Sequence, residues 1–148
     1  MLDKTDWAHL IPHAGTMCLL DAVVSWDKTT IHAISANHMH ADHPLRGEHG
    51  LHALHLAEYG AQAMAVHGAL LARSQGIETV RHGQLVSLRD VTLTEEYIDA
   101  LGGHLDIYTE CLYSDDSGSQ YAFRVEHDGR LLAHGRTAAM HSRIDSTL

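Results

Sequence analysis

The stretch from Leu51 to Ala72, LHALHLAEYGAQAMAVHGALLA, decides the fold. It is rich in Ala and Leu, contains no proline, and lacks the period-two alternation of the segments around it, so it predicts a helix over residues 51–72. Apolar or small residues occur all the way round this helix, which therefore needs burial on most sides. Gly60, Ala61, Ala63, Ala65, Gly68 and Ala69 keep it slim enough for strands to pack closely against it. The segment is long enough to span a bilayer, but Glu58, Gln62, His52, His55 and His67 would each be costly in hydrocarbon, and no membrane span is expected. Arg73, Ser74, Gln75 and Gly76 supply the stop, with a cation in the last turn and a glycine beyond it.

Strand patterns lie on both sides of this helix. Upstream, MCLLDAVVSW (Met17–Trp26) and TTIHAISA (Thr29–Ala36) are apolar, β-branched runs separated at Asp27 and Lys28, and Asn37 to Gly50 is polar and turn-like. Downstream, GQLVSLRDVTL, HLDIYTECLYS, SQYAFRVEH and LLAHGRTAAMH each carry part of a period-two pattern, with turn chemistry at Asp115 to Ser119 and at Asp128-Gly129. The order is two strands, one long helix and four strands, the last three joined as a meander. The fold class is thus α+β in one domain over residues 1–148: a curved antiparallel sheet wrapped around a central helix.

Composition removes several function classes. A formal charge of −9 with ten scattered Lys and Arg argues against nucleic-acid binding, which needs clustered cations. The opening MLDKTDWAHL lacks the apolar run of a secretory signal, so a cytoplasmic location is expected. Cys18 and Cys111 form no paired-spacing motif and read as small hydrophobes. Fifteen histidines make the net charge strongly dependent on pH near 6.5. Several of them (His38, His40, His43, His49, His52 and His55) crowd the approach to the helix and its first turn. They invite a zinc, copper or nickel reading, yet no signature such as HExxH is present, and neither a metal site nor a cofactor is expected.

Glu58 is the one formally charged side chain between Leu51 and Ala72, so burial of the helix penalises this group above all others. A carboxylate in an apolar setting is suited to general acid or base work near neutral pH, and Gln62, one helical turn on, shares its face and can orient it or bind a substrate oxygen.

The segments IPHAGTMCLLDAVVSWD and GLHALHLAEYGAQA resemble the 3-hydroxyacyl-thioester dehydratases of the hot-dog fold, most of all the dehydratase-like branch associated with aryl-polyene lipid pathways. The matching residues are Pro12, His13, Leu19, Leu20, Asp21, Glu58 and Gln62. In active members, the resemblance implies, a histidine removes the α-proton of the thioester, and the helix carboxylate of the facing subunit assists loss of hydroxide. Backbone N–H groups near the helix start hold the thioester carbonyl. The family's His-Phe-Pro-Gly stretch would begin at Pro44, with His43 one residue earlier, and His52-Ala53 stands where Pro-Gly precedes the helix. The resemblance thus points to catalytic roles for Glu58, Gln62 and His43, the last ranked ahead of His52 and His49 as stand-ins for the histidine, and to substrate contacts for His52, Ala53 and His13.

It further implies an acyl thioester carried by acyl carrier protein or coenzyme A, and a homodimer or a heterodimer with a homologous subunit. A carrier protein, being acidic, would need a local positive patch, for which Arg46, Arg73, Arg81 and Arg89 are the candidates. Two alternatives stand beside the dehydratase: a catalytically incomplete partner or acyl-binding subunit, for which the missing His-Phe-Pro-Gly stretch speaks, and a hot-dog thioesterase using Glu58 to activate water.

Overall fold

A computed structural model describes residues 1–12, 15–77 and 83–141. Its strands are β1 (Leu2–Asp3), β2 (Ala22–Trp26), β3 (Thr30–Ser35), β4 (Gly83–Leu93), β5 (Leu105–Ser114), β6 (Gly118–His127) and β7 (Arg130–His141). The helices are α1 (Lys4–Trp7) and α2 (Leu56–Ser74), with single 3-10 turns at Ala8–Leu10, Gly15–Met17, Asn37–Met39 and Ala53–His55. The strands form one antiparallel sheet in the order β1-β2-β3-β5-β6-β7-β4. β4, the strand that follows α2, is therefore an edge, and β5, β6 and β7 are the expected meander.

One core joins the sheet to the long helix. Tyr59, Ala63, Val66 and Leu70 of α2 pack with Ile31, Ile107, Phe123 and Val125 of the sheet, all buried. Gly60 marks the tightest approach, because a Cβ placed there would lie 2.7 Å from Phe123 Cγ. No helix among the described residues is long and apolar enough to cross a membrane.

The punctuation of the chain follows its local chemistry. At the end of α2, Gly76 adopts φ 75°, its N–H reaches Arg73 O, and Ile77 N donates to Ala72 O, a glycine-capped helix end as the sequence predicts. Asp128 (φ 49°) and Gly129 (φ 79°) are both left-handed, the backbone a two-residue hairpin needs between right-twisted strands. Asp27 turns the β2–β3 connection by accepting N–H bonds from Thr29 and Thr30 at 2.9 and 2.7 Å.

Two boundaries differ from the sequence reading. Of the apolar run Met17–Trp26 only Ala22–Trp26 is strand, since Cys18, Leu19 and Leu20 are buried in a bridge between α2 and the end of β3. The α-helix begins at Leu56 instead of residue 51, because Ala53 N donates to Glu96 O at 2.8 Å and His52 pairs with Tyr97. The short β1 and α1 were not expected. A capping box forms them: the Asp3 carboxylate accepts from Thr5 N while Asp6 accepts from Asp3 N.

Candidate active site

Glu58 sits in the first turn of α2, half-buried, at one end of a cavity of about 670 Å³. The small residues Ala61, Ala65, Gly68 and Ala72 recur at helical spacing along the cavity floor. From Glu58 to Ala72 the floor runs about 20 Å along the helix axis. The slimness predicted for this helix therefore serves two purposes: Gly60 admits Phe123, and the opposite small residues leave open space.

Gln62 is fully buried and saturated. Its Oε1 accepts from Leu19 N at 2.8 Å, and its Nε2 donates to Met17 O at 2.7 Å and to Glu58 Oε1 at 3.2 Å. These partners fix the amide orientation, so it presents N–H to Glu58. Oε1 of Glu58 therefore accepts this N–H. Gln62 orients the acid and ties residues 17–19 to the helix; both of its amide hydrogens are already committed.

His43 faces a different neighbour. It is 6% exposed, its Nδ1 accepts from Leu45 N at 3.0 Å, and its Nε2 lies 2.9 Å from Tyr59 Oη. Because Nδ1 is an acceptor, Nε2 carries the hydrogen and donates it to Tyr59, whose own O–H donates to Asn37 Oδ1 at 2.6 Å. Asn37 and Ser35 then both bind Leu19 O. Burial lowers the His43 pKa and, by the same cause, raises that of Tyr59. In the described chain this imidazole is neutral and both its nitrogens are engaged, and no contact joins it to Glu58.

The helix start is equally occupied. Ala53 N–H goes to Glu96 O, Leu54 N–H to His52 Nδ1 at 3.0 Å, and His55 N–H to His52 O. The N–H of Leu56 already reaches Ala53 O and Leu54 O. The His52 ring stands edge-on to Tyr97. His13 lies outside the described residues.

Three groups were not singled out from sequence: Tyr59, Asn37 and the pair His67–Tyr121. His67 is fully buried on α2, with Nε2 donating to Asp27 O at 2.8 Å and Nδ1 accepting from Tyr121 Oη at 2.5 Å, and Tyr121 forms part of the cavity wall. Two polar rings inside an apolar segment are the signal that could have pointed to them, since such groups need partners. Among the described residues no three His, Cys, Asp or Glu side chains converge as metal ligands, and Cys18 and Cys111 are unbridged. Of the cations considered for a docking patch, Arg46 pairs with Asp99, Arg73 donates to Asp6 O, Arg89 is exposed, and Arg81 lies outside the described residues.

Comparison with known proteins fits this architecture. A search of curated proteins finds no match to the sequence. Among solved structures, a chain of the dehydratase heterocomplex ApeI:P from Xenorhabdus doucetiae is similar at TM-score 0.82 and 21% identity, covering 93% of this chain and 91% of that one. A hypothetical thioesterase from Streptococcus pneumoniae, solved with coenzyme A, is similar at TM-score 0.59 and 10% identity, covering 81% and 84%. AziG of S. sahachiroi is similar at TM-score 0.60 and 18% identity, covering 82% and 90%. The sheet-around-helix architecture is the hot-dog fold of these neighbours. The sequence profile described as ApeP dehydratase, ApeP-like, matches residues 5–147. Because that match runs nearly end to end and includes the Glu58–Gln62 helix, the chain belongs to the ApeP-like dehydratase family.

Proposed function

We propose that this chain is a cytoplasmic subunit of a 3-hydroxyacyl-thioester dehydratase in fatty-acid or polyene lipid biosynthesis, acting as a heterodimer with a homologous hot-dog subunit. It supplies the acyl groove and the Glu58 carboxylate, and the partner supplies the histidine. One observation carries the reading: Glu58 opens onto a long cavity, whereas His43, the imidazole nearest the family's catalytic position, is turned onto Tyr59 with both nitrogens in use. The heterocomplex architecture of the Xenorhabdus neighbour supports a two-subunit assembly.

The chemistry divides between the two chains. The partner's imidazole takes the proton from C2 of the thioester, the C2–H electron pair becomes the C2–C3 double bond, and the C3–O bond breaks. Glu58, with Gln62 holding Oε1, donates a proton to the departing hydroxyl so that it leaves as water. The products are an enoyl thioester and water; the base then returns its proton to the acid through solvent. With Ala53 N–H engaged by Glu96 O, His52 and Ala53 shape the helix entry, and the thioester carbonyl is polarised by partner groups.

The edge strand supports the pairing. β4 is eleven residues long, lacks a strand neighbour on one side among the described residues, and carries Leu85 and Leu88, 40% and 43% exposed. Such an edge is an aggregation hazard unless another chain covers it. The test is to assay the chain alone and with a catalytically complete homologous subunit on 3-hydroxyacyl thioesters of acyl carrier protein and of coenzyme A. Enoyl product from the complex, lost on Glu58→Gln, is the expected result. Activity in the complex that survives Glu58→Gln overturns the proposal, as does thioester hydrolysis without dehydration, which would make the groove that of a thioesterase.

A further inference from the structure

The edge strand that must accept a partner carries an unfavourable charge arrangement. Arg89 on β4 and Arg136 on β7 are directly opposed in the antiparallel register, and both are exposed. Opposed residues of a ladder project from the same face, here the outer one, because Thr137, next to Arg136, is 1% exposed. Several other cations among the described residues have partners: Arg46 has Asp99, Arg130 has Glu95, and Arg124 has Glu126 at 2.9 Å and the Tyr108 ring at 4.0 Å. Arg89 and Arg136 have no ion pair among the described residues, although Asp90 follows Arg89 in sequence. Like charges directly opposed across strands are destabilising, and in a chain of net charge −9 the arrangement does not arise from a surplus of cations.

The position explains the cost. A second copy of this chain, added antiparallel at β4, would put a second pair of these cations on the same outer face of the joint sheet and add to the unpaired positive charge there. A strand bearing carboxylates at those outward positions would neutralise them. We infer that the Arg89–Arg136 pair selects the partner: it disfavours a second copy of this chain and favours a homologous subunit whose outward edge positions are acidic. The inference rests on the edge-to-edge pairing proposed above, but it concerns partner choice alone and can fail while the assignment of Glu58 stands.

Sedimentation of the purified chain at micromolar concentration tests it, with a charge-reversed copy (Arg89→Glu with Arg136→Glu) as the acidic probe. The expected result is weak self-association of the wild type that strengthens as salt is raised from about 50 to about 500 mM, which screens the repulsion. An equimolar mixture with the reversed copy forms a mixed dimer about tenfold tighter than the wild-type self-pair, and that dimer weakens with salt. The neutral variant, Arg89→Gln with Arg136→Gln, self-associates more tightly than the wild type, which keeps the test intact if the reversed copy folds poorly. A wild-type homodimer whose affinity changes with neither salt nor the neutral substitutions overturns the inference. So does dimerisation through a surface that leaves β4 exposed to hydrogen exchange.

Discussion

Glu58 and Tyr59 are neighbours in sequence and opposites in setting. The first is half-buried at the mouth of a large cavity; the second is fully buried and joined to His43 on one side and Asn37 on the other. A turn of about 100° between successive helical residues is enough to place one on the groove and the other inside the fold. The difference teaches where a histidine-rich loop spends its imidazoles. His43 closes a chain of hydrogen bonds that runs through Tyr59, Asn37 and Leu19 to Gln62, and Gln62 reaches out to Glu58.

The sharpest way to break the comparison is to substitute on each side of it. Glu58→Gln in the active complex is expected to lower kcat by about 10³-fold, the scale of a lost general acid, with Tm nearly unchanged. His43→Ala is expected to do the reverse. It strands the Leu45 N–H and one partner of Tyr59, costing about 1–3 kcal/mol of stability, while kcat per folded molecule stays close to wild type. Steady-state kinetics paired with thermal melts reads both, and loss of turnover in His43→Ala at unchanged Tm would return that imidazole to the catalytic site.

Acid should act on the sealed side. His38, His43 and His67 each have a pKa lowered from the ordinary value chiefly by burial, so the folded chain resists protonation at all three. The unfolded chain takes up those protons as pH falls through about 6.5, which makes unfolding progressively easier. Their stabilising contribution is fully present above that value and is lost below it, by up to about 4 kcal/mol per pH unit if all three stay neutral in the fold. Urea titrations at pH 7.5 and at about 5.5 would show the loss, and the slope should fall by about a third in His67→Gln.

Local chemistry and distant partners were not equally legible. Gly76 and Asp128-Gly129 declared their turns because a left-handed residue is needed there whatever the rest of the chain does. The small residues of the central helix were legible as packing, and only the coordinates separate Gly60, pressed on Phe123, from those that floor the cavity. The run from Met17 to Leu19 looked like strand because it is apolar; its hydrogen bonds to Gln62, Ser35 and Asn37 are what sequence spacing cannot reveal. The same holds for Ala53, whose N–H reads as a free donor at a helix start until Glu96, distant in sequence, takes it. Among many histidines, nothing in the sequence tells which is claimed by a tyrosine.

The smallest expected effects separate the two uses of glycine in the central helix. A Cβ at Gly60 would lie 2.7 Å from Phe123 Cγ and 2.9 Å from Phe123 Cβ, and the latter cannot move without shifting β6. Gly60→Ala should therefore destabilise by about 1–3 kcal/mol through overpacking. Gly68 is exposed on the cavity floor with nothing within 4 Å of a built Cβ, so Gly68→Ala should stabilise the helix by about 0.5–1 kcal/mol. If the cavity carries the acyl chain, the methyl added at residue 68 narrows it, and KM for long-chain thioesters should rise a few-fold while short chains are unaffected. A KM that ignores residue 68 at every chain length would mean that the substrate runs elsewhere, and Glu58 would then sit beside a hollow it does not use.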